Sequence, residues 1–99
     1  MSVKQLVKLY EQGSGADDVA GQQLVRMGNK ARDELIKMLD DPKVSKDDAG
    51  PIAMILFVYF RCEESIRALD RYADRQNDPK LRGLIDSMKK MMRSGPPPK

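Results

Sequence analysis

Five pairs of adjacent acids are the first candidates for chemistry: Asp17-Asp18, Asp33-Glu34, Asp40-Asp41, Asp47-Asp48 and Glu63-Glu64. Neighbouring carboxylates offer hard oxygen ligands, so each pair could hold a divalent cation. Every pair, however, falls at or near the end of a helix expected from the surrounding pattern. There acids cap the helix, complement its positive dipole end or stay in water. The chain has no histidine, which removes the commonest general base and the commonest metal ligand together. Its single cysteine, Cys62, permits no internal disulfide and no thiolate cluster. Set in an apolar stretch, Cys62 reads as a small buried hydrophobe. Gly13-Ser14-Gly15 lacks the preceding strand and the Lys-Ser/Thr of a phosphate loop. These residues point away from catalysis, and neither a metal nor a cofactor is expected.

Cations come next. The formal charge of +3 is uneven: residues 1–79 carry 12 basic and 14 acidic side chains, whereas residues 80–99 carry six basic and one acidic. Lys80, Arg82, Lys89, Lys90 and Arg93 therefore form a candidate basic patch for nucleic-acid phosphates, a membrane surface or an acidic protein. No aromatic interleaves them, so base stacking is not supported. Met88, Met91 and Met92 follow the same helix. They are either adaptable core filling or a terminal face through which two copies could pair.

The elements that must position these groups are helices. Val3, Leu6, Val7 and Tyr10 share one face of a first helix, which Gly13-Ser14-Gly15 ends. A second helix starts near Ala16 or Asp17, carries Val19, Ala20, Leu24 and Met27 as its stripe, and closes at Gly28. A third spans about Lys30 to Asp40, with Ala31, Leu35, Met38 and Leu39 inward, and stops at Asp41-Pro42. Asp47 or Asp48 is expected to cap a fourth helix, with Pro51 in its first turn. From Ile52 to Phe60 every residue is apolar, so this helix is expected to be covered on all sides. Cys62-Glu63-Glu64 is a short junction. A fifth helix then points Ile66, Leu69, Tyr72 and Ala73 inward. Asp78 caps a sixth whose first residue is Pro79; Leu81, Leu84, Ile85, Met88 and Met92 line one side of it. One helical domain is expected over residues 1–93, with a Pro-rich, disordered tail over 94–99. The longest apolar run is far short of the roughly 20 residues of a membrane span. The start becomes amphipathic at once, so a cytoplasmic protein is expected.

Three internal echoes suggest a repeat. Asp41-Pro42-Lys43 returns as Asp78-Pro79-Lys80, Asp17-Asp18 as Asp47-Asp48, and the third helix resembles the fifth. The segment from Leu24 through Met27-Gly28, Ala31 and Leu35-Ile36 to Leu39 and Asp41-Pro42 resembles the core of a HEAT-like repeat. Phe60-Arg61-Cys62-Glu63 departs from that pattern where a glycine turn is usual. The resemblance implies an all-α fold, a short right-handed α-solenoid of about six antiparallel helices; a compact helical bundle is the alternative.

It also implies a non-enzymatic scaffold that binds a protein partner on the concave side. There the first, third and fifth helices would present Lys4, Lys8, Lys30, Asp33, Lys37, Arg67, Asp70, Arg71 and Asp74. The second expectation is a nucleic-acid-associated protein using the basic sixth helix. The third is an accessory subunit or lyase-like protein of an enzyme complex, since some short HEAT-like proteins act on bilin chromophores.

Overall fold

The computed structural model describes residues 2–94, which form six α-helices and no strand. The Pro-rich segment 95–99 lies outside the described residues. Helix α1 (Val3–Glu11) opens on a reciprocal cap: Ser2 Oγ accepts from the Gln5 amide at 3.2 Å, and Gln5 Oε1 accepts from the Ser2 amide at 2.8 Å. Helix α2 (Ala16–Met27) follows the glycine turn. Only Gly28, at φ +68°, separates it from α3 (Asn29–Asp40), which starts one residue earlier than the sequence suggests. Helix α5 (Glu63–Gln76) ends on Asn77 in the left-handed region, and α6 (Pro79–Arg93) begins on Asp78, whose carboxylate accepts from the Lys80 amide at 3.0 Å.

Helix α4 (Lys46–Tyr59) departs from expectation at its start. Ser45 is the cap, its hydroxyl accepting from the Asp48 amide at 3.1 Å, so Asp47 and Asp48 occupy the first turn instead. The helix therefore begins earlier, and Pro51 falls in its second turn, where the missing amide leaves the Asp47 carbonyl without its usual partner. Glu63 and Glu64 likewise belong to the first turn of α5 rather than to a junction, with Cys62 at the cap position. The two Asp-Pro-Lys segments share a turn: Asp41 accepts from the Lys43 amide at 2.9 Å, much as Asp78 does from that of Lys80. They differ in outcome, because Pro79 enters a helix at once whereas Pro42 does not.

Helix α3 packs between α1 and α5, and α4 touches α1, α2, α3 and α5. Among the larger helix contacts, α6 packs against α5 alone. The core is aliphatic: Leu6, Leu24, Leu35, Leu39, Ile52, Ile55, Leu56, Leu69 and Ile85 are fully buried. Burial of each such side chain contributes about 1.5–3 kcal/mol.

Two expected stripes need correcting. On α2 the inward face is Ala20, Gly21 and Leu24, while Val19 is 54% exposed and Met27 is exposed as well. Gly21 is inward because α2 crosses α4 there: a Cβ on Gly21 would fall within the Tyr59 ring. Helix α4 is not covered all round. Met54 and Val58, four residues apart, form an outer stripe open to solvent. Its other faces are held by neighbouring helices, but no element lies over this one.

Candidate functional site

Three surfaces could act, and the ion pairs decide what each has free. The first is the face formed by α1, α3 and α5. A groove between α3 and α5 brings together Asp33, Lys37, Arg67 and Arg71, with Asp40 and Glu64 beside them. A second groove brings Lys4, Lys30 and Lys37 together beside Glu34 and Asp41. The remaining expected residues lie elsewhere. Lys8 reaches α4 instead, donating to Asp48 at 2.9 Å. Asp70 and Asp74 face α6.

Much of this face is occupied in holding the helices together. Arg71 donates from Nε and Nη2 to the two oxygens of Asp40, at 3.1 and 2.8 Å, which ties α5 to α3. That hydrogen bond holds the Arg71 guanidinium above its ordinary pKa. Arg75 donates to the Leu39 carbonyl at 2.6 Å, satisfying one of the last acceptors of α3. Asp33 takes a 2.9 Å contact from neighbouring Arg32. Lys4, Lys30, Lys37 and Arg67 have no ion-pair partner among the described residues. Acids interleave them, so the face is mixed in sign.

The second surface is the basic patch of α6, which the fold divides. Asp70 on α5 accepts from Arg82 at 2.9 Å and from Lys89 at 2.6 Å. Arg82 also reaches Asp74 at 3.0 Å and Asp86 at 3.7 Å, and Arg93 lies 3.4 Å from Glu63. Three of the five expected cations are thus partly neutralised by carboxylates, all but one of them on α5. Lys80 and Lys90 have no such partner among the described residues. A phosphate backbone would have to displace these acids to gain the three, which lowers the charge on offer.

The third surface was only partly foreseen. Between α4 and α6 lies a groove of about 320 Å³. Ala49, Ala53 and Met54 form one wall and Leu81, Leu84 and Ile85 the other, with Met88 and Tyr72 also lining it. Leu84 is 58% exposed and Met54 is 43% exposed. Of the methionine face expected on α6, Met88 and Met92 are buried within the domain and only Met91 is open to solvent. The signal that could have located the groove is the stripe Gly50, Met54, Val58: it has no charge, yet lies outside the set Ile52, Ile55, Leu56 that fills the core.

Chemistry of other kinds finds little support in the geometry. No three His, Cys, Asp or Glu side chains among the described residues form a group that could hold a metal. The paired acids sit in first turns, at helix ends or in ion pairs. Cys62 is half-buried, with its sulfur 3.5 Å from the hydroxyl of buried Ser65. No helix among the described residues is long and apolar enough to cross a membrane. No protein-family model, no curated protein and no solved structure matches this chain, so no relative supplies a family or an activity.

Proposed function

We propose that this domain is a non-enzymatic protein-binding module, and that it binds through the apolar groove between α4 and α6. The observation that carries the reading is that groove: apolar side chains from two helices meet there without a covering element, on a chain one third charged. Protein partners commonly bury such concave apolar strips by laying a helix into them. Methionine on both walls suits this use, since its unbranched side chain repacks around different shapes.

We propose a short HEAT-like array for these helices, with which the contacts of α3 to α1 and to α5 are compatible. In that arrangement α1, α3 and α5 form one row, α2 and α4 begin a second, and α6 continues the second row at one end. A terminal helix in an array has one neighbour fewer, which gives a reason for the open flank. The face of α1, α3 and α5 offers less, because Arg71 and Asp40 already satisfy one another and its other charges are mixed in sign.

Affinity purification from nuclease-treated native lysate tests the proposal with three proteins: the unaltered chain, Leu84→Glu and Lys37→Glu. A protein partner should survive nuclease and Lys37→Glu, and should be lost with Leu84→Glu. Leu84 is exposed, so the variant keeps its helical circular dichroism. Loss with Lys37→Glu alone would move the site to the α1, α3 and α5 face. Capture that disappears with nuclease would favour nucleic acid instead.

A further inference from the structure

We propose that α6 is a hinged latch: it swings off α5 as one piece about Asn77 and Asp78 while α1 to α5 stay folded. The motion stands on how α6 is held, whatever partner the groove takes.

The helices are attached in series. Helices α1, α2, α3 and α4 each touch the other three, and α5 joins them through α3 and α4. Two bonds reinforce that joint, from Arg71 to Asp40 and from Arg75 to the Leu39 carbonyl. Helix α6 lies outside this body, since among the larger helix contacts it meets α5 alone. Its buried ridge is Ile85, Met88 and Met92. Beside the ridge, Arg82 reaches Asp70 and Asp74, Lys89 reaches Asp70, and Arg93 reaches Glu63. None of these charged side chains is fully buried, so water and salt weaken their hold. Parting α6 from α5 therefore costs less than removing any helix of the body.

The junction permits the swing. Asn77 stands in the left-handed region at φ +51°, and its amide donates back to the Ala73 carbonyl at 3.2 Å. Asp78 serves the other side. Its carbonyl accepts from the Arg82 amide at 2.8 Å and its carboxylate from the Lys80 amide at 3.0 Å. Each residue thus completes its own helix, and rotation between the two breaks neither set of bonds. Pro79 has no amide that could tie α6 back to α5. Within α6, Asp86 lies 3.7 Å from both Arg82 and Lys89, which supports the helix as a unit. A helix of 15 residues is still marginal alone, so its amides exchange with water once it leaves α5.

Opening changes what α6 offers. Docked, it buries its ridge and shares three of its cations with the acids of α5. Detached, it presents ridge and cations on one helix and withdraws its wall from the α4–α6 groove.

Hydrogen exchange of the full chain tests the latch, followed amide by amide by NMR at several urea concentrations below the unfolding midpoint. The amides of Ile85, Met88 and Met92 should be protected at least about tenfold less than those of Leu24, Leu35 and Leu56. They should share one opening free energy and respond less to urea, because less surface is exposed. Ile55→Val, in the body of the domain, should speed exchange of the second set about fivefold and leave the first set unchanged. Asp70→Asn should speed the first set about fivefold at low salt. Equal protection and equal urea response in both sets would overturn the latch, since α6 would then leave only with the whole domain. Protection that falls steadily from Ile85 to Met92 would replace the swing by fraying. Leu69 and Tyr72 exchanging together with the α6 set would move the hinge to the junction before α5. No response to Asp70→Asn would overturn the ionic part of the hold.

Discussion

The two flanks of α6 are built from opposite materials. Towards α5 it presents Arg82, Lys89 and Arg93, and each meets a carboxylate within 3.4 Å. Towards α4 it presents Leu84, with Met91 following seven residues along the same stripe, both at least half exposed. Between these flanks lies the buried ridge of Ile85, Met88 and Met92. Apolar burial thus fixes α6 on the domain, while the ion pairs fix its rotation and register against α5. The α4 flank contributes little to either. A side chain that contributes little to folding is available for binding, and this is the physical reason for placing the interaction there.

The sharpest way to break this comparison uses neighbouring residues of similar size. Ile85 is 1% exposed and Leu84 is 58% exposed. Ile85→Ala should lower unfolding free energy by about 3 kcal/mol, the lost transfer energy plus the cavity left behind. Leu84→Ala should change it by less than about 0.5 kcal/mol. Urea denaturation of both variants measures the difference. Equal losses would mean that Leu84 is a core residue and that the groove is closed in solution.

These two residues also show how far the sequence could be read. Leu84 and Ile85 both fit the apolar side of the sixth helix, and periodicity alone assigned both inward. Which of them is covered depends on how far α4 stands from α6, and no local pattern carries that distance. The helices themselves were legible: five of six began within a residue or two of their expected positions, because caps and breakers such as Gly28, Asn77 and Asp78-Pro79 are local. The sixth case, α4, was misplaced because Asp47 or Asp48 was expected as the cap where Ser45 serves, and only the backbone geometry chooses among them. The basic patch was legible as a cluster in the chain but not as a site. Its partners Asp70, Asp74 and Glu63 lie on another helix, so their pairing is a tertiary fact. The same holds for Arg71, expected on a binding face and found tying α5 to α3 through Asp40.

A smaller effect tests the charged flank. Asp70→Asn removes the carboxylate that both Arg82 and Lys89 contact, while keeping its shape. These side chains are about one third exposed or less, so screening reduces the loss to about 1 kcal/mol at low salt. In 1 M NaCl the difference from the unaltered chain should shrink further. Glu63→Gln, whose pair with Arg93 is half exposed on both sides, should change stability by less than about 0.5 kcal/mol. A salt-independent loss on Asp70→Asn would show that the carboxylate acts through packing rather than charge.

The contrast extends to α4, which stands apart from α6 but meets α2 closely at Gly21 and Tyr59. Alanine at position 21 should favour the helix by about 0.8–1 kcal/mol over glycine. In the unaltered chain that gain is offset, because the new methyl group displaces the Tyr59 ring. In a Tyr59→Ala background the obstacle is gone, and Gly21→Ala should stabilise by about 0.5–1 kcal/mol. The cycle of four proteins reads the coupling directly. Equal effects in both backgrounds would mean that α2 and α4 are as loosely joined as α4 and α6.

The smallest expected effect concerns the Lys8–Asp48 pair, which joins α1 to α4, with Glu11 of α1 4.0 Å from the same lysine. Their hydrogen bond lowers the Asp48 pKa and raises that of Lys8. For Asp48 the contribution is present above the ordinary carboxylate value of roughly 3.9 and is lost as pH falls through the lowered folded value. For Lys8 it is present below roughly 10.4 and is lost as pH rises through the raised folded value. The stability difference between the unaltered chain and Lys8→Met should therefore be greatest from about pH 5 to pH 9 and should fade below the carboxylate range. Urea midpoints at pH 7 and pH 3 measure it. A difference that persists unchanged at pH 3 would assign the effect of Lys8 to its packing, since the contribution of Asp48 declines below the ordinary carboxylate value.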